Sequence, residues 1–80
     1  MVAYFVYIIE CADGTLYTGV TTDVKRRVAE HAAGTGARYT RGRGVRAVRY
    51  TERCASRAVA LRREHAIKRL PRARKELLIR

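Results

Sequence analysis

Apolar and polar positions along the chain divide it into three strand-like runs and three segments of helical character. Val2 to Ile9 is apolar on both alternating faces and rich in β-branched and aromatic residues, which predicts a central strand covered on both sides. Ala12-Asp13-Gly14 interrupts with a turn signal and Leu16 to Thr21 resumes β character, so the two runs predict a hairpin. If the loop has three residues with Gly14 left-handed, Cys11 pairs with Thr15, Ile9 with Tyr17 and Tyr7 with Gly19. Tyr7 and Tyr17 then share one face, whereas a two-residue Asp-Gly loop separates them. In the shared-face register Gly19 leaves an open patch opposite Tyr7.

Thr22 or Asp23 can cap a helix running to about Ala33, ended by Gly34 and Gly36. Val24 and Val28 define its core stripe, Arg27 and His31 lie within about 60° of that stripe, and Lys25, Arg26 and Glu30 point away. Gly34 to Gly44 reads as a basic, glycine-rich loop with room for one helical turn; it carries Arg38, Tyr39, Arg41 and Arg43. Val45 to Thr51 alternates as a third strand, Ser56 can cap a helix to about Arg69, and Pro71 opens a short last helix to Leu78. With Leu61 at 0° on the second helix, Ala60 projects at about −100°, Ile67 at about −120° and Glu64 at about −60°. Glu64 thus falls inside the apolar arc while Arg62 and Arg63 face outward. A carboxylate so placed has to be paired, protonated or bound to a metal, and Lys68 at i, i+4 is the plainest partner. His65 projects about 100° from Glu64 and reads as structural. The expected architecture is α+β, a small three-stranded antiparallel sheet flanked by helices, with residues 1–80 as one domain.

Charge narrows the class. A formal net charge of +11 points to a polyanionic partner, nucleic acid before membrane. The excess sits in the second half: residues 1–34 hold three basic against four acidic residues, residues 35–80 hold 15 against 3. Two cysteines, Cys11 and Cys54, are too few for a disulfide scaffold and lack zinc spacing, so they read as core residues. No stretch reaches the roughly 18 apolar residues of a membrane span, and Val2 to Ile9 lacks the flanks of a signal peptide. The expectation is a cytoplasmic, monomeric protein without membrane association.

Phe5-Val6-Tyr7, Tyr17-Thr18-Gly19, Arg27 eight residues after Gly19, His31 four further on, and Glu64 in Arg-Glu-His-Ala-Ile-Lys together resemble the GIY-YIG nuclease superfamily, within it the small UPF0213 (YhbQ-like) group. The resemblance covers essentially the whole chain. It implies a three-stranded antiparallel sheet and hydrolysis of phosphodiester bonds, in DNA before RNA, with one divalent metal, Mg²⁺ or Mn²⁺. Carried over, Glu64 is similar to the single protein ligand of the metal and Arg27 to the group that stabilises phosphate charge. Tyr7 and Tyr17 match the pair that supplies the general base and positions water, and His31 matches an accessory acid/base or phosphate contact. Three departures accompany the match: Phe5 replaces the first-motif glycine, Thr18 replaces isoleucine, and the chain has no asparagine to follow the metal-binding glutamate.

The residue types suit that chemistry. Hydrolysis needs an activated water, neutralised phosphoryl oxygens and a stabilised leaving oxygen. One carboxylate with waters and a phosphate oxygen suits Mg²⁺, and a guanidinium offers phosphate a planar fork. A tyrosine base, with an ordinary pKa near 10, needs Arg27, the metal and the substrate to lower it; Tyr7 is the preferred base over Tyr17. Gly19, Lys25, Arg38, Tyr39, Arg41 and Lys68 are the expected substrate contacts. With no separate reader helix, sequence specificity is expected to be low. Two other readings compete: a nucleic-acid-binding module that keeps the nuclease fold without efficient catalysis, and a basic protein-interaction domain for an acidic partner.

Overall fold

The computed structural model describes residues 2–79. Its elements are β1 (Tyr4–Cys11), β2 (Leu16–Thr21), α1 (Val24–Ala32), a 3-10 turn (Arg38–Thr40), β3 (Val45–Cys54), α2 (Arg57–Lys68) and α3 (Arg72–Leu78). The sheet is antiparallel in the order β2-β1-β3, so the most apolar run is the central strand, as its pattern predicts. Gly14 takes φ +87° and the Cys11 amide donates to the Thr15 carbonyl at 2.8 Å. The register follows: Ile9 faces Tyr17 and Tyr7 faces Gly19, which puts both tyrosines on one face.

β3 runs past the expected Thr51, because Glu52 pairs with Val6 and Cys54 with Tyr4. Polar residues at Thr51, Glu52 and Arg53 conceal this extension in a sequence pattern, since an edge strand needs no apolar outer positions. The β1–β3 register slips twice, and each slip leaves one β3 residue unmatched, Arg49 and then Arg46. Both unmatched arginines reach back to Glu10, at 2.6 Å and 2.7 Å.

The two sheet faces carry different loads. Val6 and Ile8 pack with Cys54, Ala60 and Ile67 into the apolar core under α2, and Tyr4, Leu16, Val20, Tyr50, Leu78 and Ile79 close around it. Tyr7 alternates to the opposite face, where α1 brings His31 against it and the 3-10 turn backs His31 with Thr40. Cys11 and Cys54 are both buried and unbridged, as expected of core thiols.

Local chemistry sets the helix ends. The Asp23 carboxylate accepts from the Arg26 amide at 3.0 Å and Ser56 Oγ accepts from the Val59 amide at 3.2 Å, so each caps its helix. Gly34, at φ +80°, ends α1 with amide bonds from Gly34 to His31 and from Thr35 to Glu30. The phase of α2 departs from expectation. Ala60 and Ile67 are fully buried but Leu61 is 39% exposed, so the buried arc is centred near −110° rather than on Leu61. Arg63 therefore does not face outward: it borders that arc opposite Glu64, and its Nε donates to both Glu52 oxygens at 2.9 and 3.1 Å. The Tyr50 hydroxyl donates to the same carboxylate.

Candidate active site

β1 and β2 place Tyr7 over Gly19, and the register makes this contact tight. A Cβ built on Gly19 lies 2.5 Å from Tyr7 Oη, so only glycine lets the phenol cross β2. The open patch expected at Gly19 is thus absent; the ring of Tyr7 fills it, and Gly19 serves that ring rather than presenting a free surface. Tyr7 is 1% exposed and its hydroxyl sits 2.8 Å from His31 Nε2.

His31 is fully buried, held from the other side by the loop after α1. Its Nδ1 lies 2.7 Å from Thr40 Oγ1, whose hydroxyl lies 2.9 Å from the Ala37 carbonyl, while the Ala37 amide is 3.3 Å from Nδ1. One hydroxyl proton cannot serve both neighbours. The two shorter contacts form a continuous chain when Nδ1–H donates to Thr40 and Thr40 donates to Ala37, in place of the longer bond in which the Ala37 amide donates to Nδ1. That assignment leaves Nε2 as an acceptor for the Tyr7 hydroxyl. A Cβ on Gly36 would collide with His31 Nδ1, so Gly36 makes room for the imidazole as Gly19 does for the phenol.

Around this pair the aromatic rings form a connected group. Tyr17 lies 6.4 Å from Tyr7 and 5.3 Å, edge-on, from His31, between ring centroids. Tyr39 stacks on Tyr17 at 5.6 Å, and Arg43 caps Tyr39 at 4.4 Å while holding Asp13 at 2.6 Å. The glycine-rich loop is thereby fastened at its middle by Tyr39 and near its C-terminal end by Arg43.

The charged candidates arrive from the two helices. Arg27 is half-buried, donates to Glu30 at 2.8 Å, and its charge acts on both Tyr7 and His31. Glu64, 20% exposed, is 3.3 Å from Lys68 Nζ, and Lys68 Nζ lies 6.0 Å from the Tyr17 ring centre. The ion pair with Lys68 is the plain partner expected from the spacing, yet the Glu64 charge also acts on Tyr7. Arg38 and Arg41 are exposed at the rim near Tyr39, and Lys25 is exposed on α1 and joins none of these contacts.

Electrostatics separate Tyr7 from the expectation of a lowered phenol. Its pKa is pushed up to about 12, first by burial and then by Tyr17, with Glu64 adding a little and Arg27 opposing. His31 is shifted the other way, below the ordinary histidine value, again first by burial and then by Arg27. At neutral pH the pair is therefore a neutral phenol bonded to a neutral imidazole.

A metal finds a limited donor set here. Among the described residues no three His, Cys, Asp or Glu side chains gather as a ligand cluster. Glu64 alone, half-buried beside Lys68, fits a hydrated Mg²⁺ that keeps most of its waters, not an ion caged by protein. Thr40 and Gly36 are the functional neighbours that the sequence pattern does not single out. A second glycine two residues after Gly34 is more than the helix end requires, and that redundancy is the one signal for Gly36.

Comparison with known proteins finds one family over nearly the whole chain. The family described as the GIY-YIG catalytic domain matches residues 3–76. A UPF0213 protein of Halobacterium salinarum is 61% identical over 75 residues, covering 94% of this chain and 97% of the relative. The UPF0213 protein YhbQ of Escherichia coli is 42% identical over 79 residues, 99% of this chain and 79% of the relative. The solution NMR structure of a UPF0213 protein of Bacillus halodurans superimposes with a TM-score of 0.61 at 50% identity, covering 96% of this chain and 82% of the other.

Proposed function

The chain belongs to the GIY-YIG family, in its UPF0213 group, and from that premise we propose a metal-dependent endonuclease that hydrolyses phosphodiester bonds in DNA, and secondarily RNA, with low sequence specificity. The observation that carries this reading is the buried 2.8 Å bond from Tyr7 Oη to His31 Nε2. A phenol with its pKa near 12 is not a standing base at neutral pH. It can relay a proton. As water attacks phosphorus, its proton passes to Tyr7 Oη while the Tyr7 proton passes to His31 Nε2. The bond from phosphorus to the leaving oxygen breaks, that oxygen takes a proton from a solvent water, and His31 returns its proton through Tyr7 Oη to the hydroxide so formed.

Thr40, by accepting from Nδ1–H, holds His31 ready to accept at Nε2 before the transfer and stays bonded to Nδ1–H of the imidazolium after it. Arg27 turns part of its donor fork from Glu30 to a phosphoryl oxygen, and Tyr17 orients the water at the edge of His31. Glu64 would hold Mg²⁺ or Mn²⁺ once Lys68 moves aside, and the ion when bound neutralises charge on the phosphoryl and leaving oxygens. Lys68, Tyr39, Arg38 and Arg41 contribute substrate contacts around the rim, and Lys25 adds attraction at longer range. The setting is a cytoplasmic monomer.

The test is cleavage of single-stranded, duplex, flap and branched substrates with Mg²⁺ or Mn²⁺. Glu64→Ala, Arg27→Ala and Tyr7→Phe are each expected to reduce cutting by roughly 100-fold or more while remaining folded. Undiminished cutting by all three variants in purified protein removes the site.

One observation favours a second reading, a binding module without efficient catalysis: both key charges, Arg27 and Glu64, are already paired within the chain. It predicts steeply salt-dependent nucleic-acid binding without metal, and no cleavage of any substrate in that set.

A further inference from the structure

Residues of the first turns of α1 and α2 line, with Tyr4, Val20 and Leu61, a cavity of about 400 Å³, large enough for a nucleotide-sized group. Tyr4, Val20 and Leu61 give it an apolar floor, and Arg26, Arg27 and Arg57 give it three guanidinium groups. Glu30 is the one carboxylate in its wall, and Arg27 already holds it. Neither Arg26 nor Arg57 has an acidic partner within ion-pair distance among the described residues. Both occupy the first turn of a helix, where a cation costs stability, and only Arg26 has a compensation, a longer-range attraction to Glu30.

The cavity shares Arg27 with the candidate site. Around α2, Arg57, Leu61, Glu64 and Lys68 project at about −40°, 0°, −60° and −20°, one narrow stripe along the helix. Arg57 stands roughly 10 Å along the axis from Glu64. On α1, Arg27 lines the cavity and also acts on Tyr7. The exposed Leu61 lines the same cavity as the two guanidiniums of Arg26 and Arg57.

We propose that this cavity receives the backbone of the nucleotide next to the scissile phosphate, with Arg26 and Arg57 gripping its phosphate and Leu61 and Tyr4 packing against its sugar. The inference rests on the nuclease reading for what is cut, but it concerns binding, which needs neither metal nor turnover. Charge complementarity selects the occupant: two free guanidiniums over an apolar floor match an anionic group joined to a ring, which is what each unit of a nucleic-acid strand offers.

The experiment measures metal-free binding of short oligothymidylate and oligouridylate as a function of salt. It uses the intact chain, Arg26→Ala with Arg57→Ala, Leu61→Ser, and a charge-matched control, Arg69→Ala with Arg74→Ala, at the far end of α2 and on α3. The Arg26/Arg57 pair is expected to weaken binding roughly tenfold and to lower the magnitude of the salt slope by about 1.5, while the control leaves the slope unchanged. Leu61→Ser should weaken binding about threefold with the slope intact. Equal slopes for the two double variants, unaltered binding by Leu61→Ser, or no binding by the intact chain would overturn the proposal. Oligouridylate bound as well as oligothymidylate supports recognition of backbone rather than of one sugar type, and a wide gap between them contradicts it. If the slopes behave as expected but Mg²⁺ brings no cleavage of any substrate, the nuclease reading fails and the cavity stands.

Discussion

The hydroxyl of Tyr7 and Nε2 of His31, 24 positions apart in the chain, meet at 2.8 Å with neither side chain reaching solvent. Their protonation is therefore coupled to folding. The native state holds the Tyr7 proton up to about pH 12, whereas the unfolded chain releases it near 10. Stability from this group is complete below pH 10 and is lost as pH rises from there toward 12, by about 2 kcal/mol. His31 is shifted below 6.5, so the unfolded chain takes up its proton more readily and stability falls as pH drops below that value. Urea unfolding across pH is expected to give a plateau with losses at both ends. Tyr7→Phe should flatten the alkaline limb, leaving the parts due to Tyr50, which Glu52 raises, and to Cys54, which burial raises. An alkaline limb unchanged in Tyr7→Phe would contradict the assignment.

Thr40 sets which nitrogen of His31 carries the proton. In Thr40→Val the Ala37 amide becomes the one remaining partner of Nδ1, and an amide can only donate. The proton then moves to Nε2, which can no longer accept from Tyr7. Turnover is expected to fall on the order of 10 to 100-fold with substrate KM little changed, because no binding group is lost. A proportional rise in KM with unaltered kcat would count against the relay.

Two glycines bear on the same bond from opposite sides. Gly19→Ala pushes its Cβ into Tyr7 Oη, and Gly36→Ala drives one into His31. Each should cost about 1–3 kcal/mol in chemical denaturation, the range for overpacking. Gly42→Ala, where no atom lies within 4 Å of the added Cβ but φ is +75°, isolates the cost of backbone conformation alone. Gly19→Ala with no greater loss of activity than Gly42→Ala would show that the position of Tyr7 is unimportant.

The parts of the site that rest on local rules are legible in the residues. Gly14 fixes the hairpin register and so the shared face of Tyr7 and Tyr17, and Asp23 and Ser56 mark where α1 and α2 begin. The parts made by long-range fit are not. Thr40 and Gly36 lie in a loop without periodicity, and their meaning appears only when His31 is placed between them. The phase of α2 was ambiguous for a different reason: Ala60, Leu61 and Ile67 span an arc wide enough to be centred in two ways, and tertiary packing chose Ala60 and Ile67. That choice brought Arg63 inward. The raised pKa of Tyr7 is likewise a product of burial, which no spacing reveals.

Arg63 and Glu52 fasten α2 to β3, and with it the orientation of the stripe that carries Glu64. Arg63→Ala leaves a half-buried carboxylate with the Tyr50 hydroxyl as its main partner. Because both charges remain partly in solvent, the cost is expected to be about 1 kcal/mol rather than the larger penalty of a dry pair. Arg62→Ala, one position along and exposed, should change stability by less than about 0.5 kcal/mol. Equal midpoints for the two variants in thermal unfolding would remove the fastening role.

The two slips in β3 have a consequence for how the protein behaves in a crowd. β3 borders the sheet, and an uninterrupted ten-residue border strand is a template on which another chain can zip. Arg46 and Arg49 break that template twice, each adding a local twist and a guanidinium tied inward to Glu10. The same arginines that lend the molecule its positive charge thus guard it against fibril-like growth at high concentration.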